Sequence, residues 1–194
     1  MDVEYRANYI QRTDDLYEAY KFIINKPISP ANVNLAHKII TRHLLPSPQQ
    51  GVIRKNPMFV LNEEDRIEYV AADPEMIGTE MSKLFQDIHH LLSSDMEPLE
   101  VFYFAAHIHL VFVKIHPFQD GNGRIARLLE KWFLVNKLGS KAHAIKLEKN
   151  YFVHLSEYYR NIWVLGLEHE KLDYSKCLYF LLMTVMGLKG GQNF

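Results

Sequence analysis

Apolar positions return every three or four residues along most of the chain, the spacing of one helix face, and prolines punctuate the runs. Pro27 ends a short amphipathic stretch over 14–24, for which Thr13 supplies the cap. Ser29-Pro30 then places a capping hydroxyl and a first-turn proline ahead of Val33, Ala36, Ile39, Ile40, Leu44 and Leu45. Asp73-Pro74 repeats that punctuation for a helix to about 92, and Pro98 opens a long apolar helix that reaches His116. Pro117 ends it, because the residue before a proline is pushed out of the helical region. A helix over about 122–138 is stopped by Gly139, and two more fit 148–167 and 174–188. Only between 57 and 70 does the period fall to two. Met58-Phe59-Val60-Leu61 and Ile67-Glu68-Tyr69-Val70 flank a polar turn, the pattern of a β-hairpin. The predicted class is all-α with one small hairpin, which must pack on something to be stable.

Composition narrows the setting. The chain has 194 residues, enough for one domain, and a formal net charge of -1. No basic excess points to nucleic acid. Cys177 is the single cysteine, so no internal disulfide and no Cys-based zinc site is expected, which suits a reducing, cytoplasmic setting. The N-terminus lacks the basic-then-apolar run of a signal peptide. The apolar stretch 178–188 is far short of the roughly 20 residues of a membrane span and is expected to be a buried core helix, so no membrane partner is expected.

The chemistry concentrates in His116-Pro117-Phe118-Gln119-Asp120-Gly121-Asn122-Gly123-Arg124-Ile125-Ala126-Arg127. A helix ends, a short loop turns and a new helix begins near Asn122. Gly121 and Gly123 let a ligand approach the backbone, and the unpaired N–H groups at the new helix's positive end suit a phosphate. Arg124 and Arg127 oppose that helix's dipole, which costs roughly 0.3–1 kcal/mol per exposed charge, and an anion between them and the helix would reverse the cost. Asp120 offers a hard oxygen for Mg2+, and His116 an imidazole able to take a proton near neutral pH. A base, a metal ligand, an anion cradle and two arginines are the parts of phosphoryl or nucleotidyl transfer. A helix C-terminus favours charged histidine, so the arginines and Mg2+ are expected to hold His116 neutral. A histidine metal site built on His107, His109 and His116, with His89-His90, is the weaker reading, because 107 and 109 point to different helix faces.

This segment resembles the full signature of the Fic family, HPFx[D/E]GNGRxxR, with no position departing from it. The likeness extends over about 31–167 and is strongest over 107–134; residues 1–194 are expected to form a single Fic-type domain with helical additions at both ends. The resemblance implies a Fic-like helical bundle and a protein adenylyltransferase, which moves AMP from ATP to a Ser, Thr or Tyr hydroxyl of a target protein. On it, His116 is the base, Asp120 holds Mg2+, Gly121, Asn122 and Gly123 cradle phosphates, and Arg124 and Arg127 bind the β- and γ-phosphates. Phe118 would anchor the loop in the core. Tyr151 and Tyr159 would lie near the adenosine, with core packing as the other reading of each. Met58, Phe59, Val60 and Leu61 would form a flap that pairs with an extended target segment. Phosphorylation, removal of AMP and a non-enzymatic nucleotide- or peptide-binding module are the alternatives; the family's kinase-like branch resembles HPFxDANKR and differs at Gly121 and Gly123.

Many members of the family carry an inhibitory pattern, [S/T]xxxE[G/N], whose Glu pairs with the second motif arginine. Ser93 and Glu97 have its spacing but Pro98 follows, and Thr13 and Glu18 are one residue too far apart. The inhibitor is then a separate protein, or the pattern has diverged here, or the chain is not restrained in this way; an oligomer is carried as a separate expectation.

Overall fold

The computed structural model describes residues 2–61 and 64–189. Among them are eight α-helices and one two-stranded sheet, α1(Asp2–Ile23), α2(Pro30–Ile40), β1(Phe59–Leu61), β2(Ile67–Val70), α3(Pro74–Ser93), α4(Pro98–Ile115), α5(Asn122–Leu138), α6(Leu147–Val153), α7(Leu155–Trp163) and α8(Leu178–Met186). The all-α class and the hairpin are as the periodicity predicts.

The helix starts follow from local chemistry. The Ser29 side chain accepts the Asn32 N–H, Asp73 accepts the Glu75 N–H, and the Glu97 and Glu100 carboxylates cap each other's backbone ahead of α4. Three expectations on extent change. The first helix runs unbroken from Asp2 through Thr13, because its N-terminal half is helix-compatible but lacks an apolar stripe to reveal it. The second stops at Ile40, where the Thr41 hydroxyl bonds the His37 carbonyl at 2.7 Å. The segment expected as one helix over 148–167 breaks at His154 into α6 and α7.

α4 is the axis of the molecule. It packs most extensively on α5, and also on α3 and α8. It is apolar and long enough by composition to cross a membrane, yet it lies mostly buried at the centre of the bundle. Phe112, Leu110, Phe133, Leu134, Trp132 and Phe180 join one continuous core that runs from Ala19 to Met183. Each such side chain contributes about 1.5–3 kcal/mol on burial. α8 corrects the expectation of a wholly buried helix: Phe180, Leu181, Met183 and Thr184 face the core, while Leu178, Tyr179 and Leu182 are exposed.

The hairpin is antiparallel, with Val60 opposite Tyr69 and a bulge between Val60 and Leu61. Its inner strand is tied down on both sides: the Val70 N–H bonds the Leu167 carbonyl at 2.8 Å, and the Tyr69 hydroxyl bonds the Lys114 carbonyl at 2.6 Å. The hairpin is thereby fixed beside the C-terminal end of α4.

Candidate active site

The chain leaves α4 through His116, which closes the helix in the left-handed region at φ 54°. A non-glycine residue holds that conformation only where its surroundings impose it. Arg54 does so. This buried guanidinium donates to the carbonyls of His116 at 2.7 Å, Ala72 at 2.6 Å, Asn56 at 2.8 Å and Ile115 at 3.4 Å, satisfying the helix end and joining it to the base of the hairpin. The Arg54 N–H also bonds the Pro117 carbonyl.

The His116 imidazole is oriented by its own helix. Its Nδ1 lies 3.1 Å from the Val113 carbonyl. A carbonyl can only accept, so Nδ1 carries the hydrogen and the lone pair of the neutral ring sits on Nε2. Burial is the chief cause that lowers its pKa to about 4; Arg54 and Lys114 push the same way, against the Val113 carbonyl and Asp120. The imidazole is therefore a neutral base at physiological pH. The expected agents of that neutrality were Arg124, Arg127 and Mg2+; the structure assigns it instead to burial, Arg54 and Lys114, which the motif does not contain.

The loop after His116 is pinned by residues from across the molecule. Phe118 is fully buried and stacks on His37, with ring centroids 3.8 Å apart. His37 Nε2 donates to the Asp120 carbonyl at 2.8 Å, while its Nδ1 accepts the Gly51 N–H at 2.8 Å. Asn122 accepts the Phe118 N–H at 2.9 Å and donates to the Phe118 carbonyl at 2.8 Å. Its side chain thus holds the loop closed, which leaves the Asn122 backbone N–H as the group the expected phosphate cradle would use. Gly121 caps α5 at φ 81°, and a Cβ there would come 3.0 Å from Thr41 Cγ2.

The result is a cradle at the N-terminus of α5. Ile125 is the first residue to bond back within the helix, to the Gly121 carbonyl, so the N–H groups of Asn122, Gly123 and Arg124 are the orphan donors of this helix end. Arg124 reaches the Ile40 carbonyl at 3.3 Å, and burial lowers its pKa. Arg127 makes an ion pair with Glu148 of α6 at 2.7 Å, and the Tyr20 hydroxyl donates to the same carboxylate at 2.9 Å. Burial works against the Arg127 charge, and Glu148 with Tyr158 and Tyr20 outweighs it. A carboxylate on the second arginine is therefore present, but on a helix after the motif, where no sequence pattern pointed.

The Asp120 carboxylate stands exposed at the mouth of this cradle, with Oδ1 accepting the Gly121 N–H. One exposed carboxylate beside a phosphate cradle fits Mg2+, which takes one or two protein oxygens and completes its shell with waters and phosphates. Among the described residues no three His, Cys, Asp or Glu side chains converge as metal ligands. His109 is engaged elsewhere, with Nδ1 2.7 Å from Glu130 and Nε2 2.9 Å from the Tyr158 hydroxyl in the core.

The two tyrosines part company. Tyr151 is fully buried and donates to Glu130, with Thr184 beside it, so it is a core residue and not an adenosine contact. Tyr159 is exposed, stacks on Trp163 at 5.6 Å, and faces Val60 and Leu61 of the hairpin across an open cavity of about 640 Å3. Sequence reasoning gave no role to Arg54, His37, Lys114 or Glu148. Lys114 is fully buried, with Nζ 4.0 Å from the Tyr69 ring centroid and 3.5 Å from the Gly166 carbonyl, and burial lowers its pKa to about 8.

The fold is a helical bundle whose two central helices are joined by a glycine-containing loop with a histidine at its edge and unpaired N–H groups at its end. Residues 27–134 match the model of the Fic/DOC family, and the chain belongs to that family. It is 40% identical over 93 residues to the protein adenylyltransferase Fic of Nematostella vectensis, a stretch covering 48% of this chain and 19% of that one. Its fold is similar to a Fic family protein from Desulfovibrio desulfuricans G20, with a TM-score of 0.76 and 20% identity over 94% of this chain and 53% of that one. It is also similar to the BepC protein of Bartonella tribocorum with bound AMPPNP, with a TM-score of 0.62 and 15% identity over 92% of this chain and 85% of that one. The chain spans about a fifth of the Nematostella protein and about half of the Desulfovibrio one.

Proposed function

We propose that the chain is a protein adenylyltransferase that transfers AMP from ATP to a Ser, Thr or Tyr hydroxyl of a target protein. The observation that carries this reading is the His116 ring, neutral and with its Nε2 lone pair free, held beside the orphan N–H groups of α5. A relative named protein adenylyltransferase Fic, and a protein of similar fold solved with bound AMPPNP, support it.

In this mechanism the triphosphate lies against the backbone of Gly121, Asn122 and Gly123, with Arg124 and Arg127 on its outer phosphates. Mg2+ held by Asp120 would neutralise phosphate charge. The target hydroxyl gives its proton to His116 Nε2 as its oxygen attacks the α-phosphorus. The bond to the bridging α–β oxygen breaks, and pyrophosphate leaves with that electron pair. Met58, Phe59, Val60 and Leu61 present a strand edge to the target backbone, which positions the hydroxyl without demanding one target sequence.

Incubation with ATP labelled at the α-phosphate, Mg2+ and a cell lysate should place AMP on protein, read by mass spectrometry. His116→Ala should abolish that transfer while ATP binding persists. A target that gains phosphate alone, or a His116→Ala protein that transfers AMP normally, overturns the reading.

A further inference from the structure

Away from the cradle, α3 and α4 form a helical hairpin with an open groove of about 730 Å3 along their outer side. Its floor is apolar and aromatic, from Leu84 and Leu91 on α3 and Tyr103, Phe104, His107 and Val111 on α4. Tyr103 is half exposed and Leu99, one turn before it, is largely exposed. Contiguous apolar surface of this kind on a monomer marks an interaction site.

Three further observations say what fits. The first is charge. Glu80, Asp87, Asp95 and Glu100 line the groove against a single lysine, Lys83, which is already paired with Glu80 at 2.8 Å. Glu100 caps α4, which leaves Asp87 and Asp95 with no ion-pair partner among the described residues. The second is His107. Its Nδ1 is buried without a hydrogen-bond partner, and burial lowers the ring's pKa. The ring lines the groove with its centroid 4.8 Å from that of Tyr103 and extends the aromatic floor. The shape sets the third dimension. The lining stripe on α3 recurs at Glu80, Lys83, Leu84, Asp87 and Leu91, helical spacing over about 17 Å.

We propose that the α3/α4 groove is a docking site for a three- to four-turn amphipathic helix of another protein, one with Lys or Arg flanking its apolar stripe. Helices recognised in grooves place apolar anchors at i, i+3, i+4 and i+7, and an acidic rim selects basic flanks. The groove involves neither His116 nor the cradle, so the inference stands or falls apart from the adenylyl-transfer reading.

The test is selection from a randomised helical-peptide library displayed against the whole protein, followed by titration of the enriched peptides by fluorescence anisotropy. The expected winners are amphipathic with basic flanks. Their binding should weaken at least tenfold with Asp87→Lys plus Asp95→Lys, and again at raised salt. Tyr103→Ala should weaken it as well. His116→Ala should leave it unchanged, and circular dichroism should show each variant folded. Winners without basic flanks, or binding indifferent to the charge reversal, overturn the proposal. So does a concentration-dependent dimer, seen by light scattering, that Tyr103→Ala dissolves, because the groove would then take a second copy of this chain.

Discussion

At the end of a helix the carbonyl dipoles pull a histidine toward its charged form, and His116 resists because it is buried beside Arg54 and Lys114. With its pKa near 4, the free base should be present across the whole neutral range. The acid limb of kcat/KM should therefore lie well below pH 6.5, the ordinary histidine value. Lys114→Met removes a neighbouring positive charge, so that limb should move to higher pH; a limb that stays in place shows that Lys114 does not act on His116. His37 is held low for the same chief reason, burial, and also to about 4. For both rings the folded pKa is depressed, so the unfolded chain binds protons that the folded one refuses. Their stability is complete above about 6.5 and is lost as pH falls from there toward 4. The Tm should drop between pH 7 and pH 5, and His37→Gln should shrink that drop.

The start of α5 is an element at odds with its own dipole, since Arg124 and Arg127 sit in its first turns. What holds it is side-chain bonding from outside. Asn122 satisfies both backbone groups of Phe118, so Asn122→Ala strands two buried polar groups and should cost about 2–4 kcal/mol in chemical denaturation. Glu148 does the same for Arg127, but with a side chain that is partly exposed. Glu148→Gln should lower stability by no more than about 1 kcal/mol. Because it frees the guanidinium for the outer phosphate, the same variant should bind ATP several times more tightly by calorimetry. An unchanged Kd would mean that Arg127 leaves Glu148 at no expense when nucleotide arrives.

Over the whole molecule, what the sequence made legible was local. Ser29-Pro30 and Asp73-Pro74 announce helix starts because a cap is read within three residues, Pro98 marks a third, and the motif loop carries its own chemistry. Arg54, His37 and Glu148 stayed hidden because each acts on a partner at least 21 positions away, and no spacing rule reaches that far; Lys114 lies two residues from His116, but its burial among apolar neighbours is set by the tertiary fold. The hairpin combines both kinds of information. Its strands were visible as alternation, but which edge is open depends on the loop after α7. Since Val70 points its N–H out to Leu167, the edge of β2 is partly taken, and among the described residues the sheet ends at β1. The Ala71 N–H bonds the Met58 carbonyl, so the alternation of an antiparallel ladder turns the N–H and carbonyl of Phe59 outward. Phe59→Pro removes that outward donor and leaves the ladder to β2 intact, the one situation in which a strand tolerates proline. The variant should fold and bind ATP as the parent does, while KM for a protein target rises at least tenfold. If target KM is unmoved, the hairpin covers the cradle without pairing with the target.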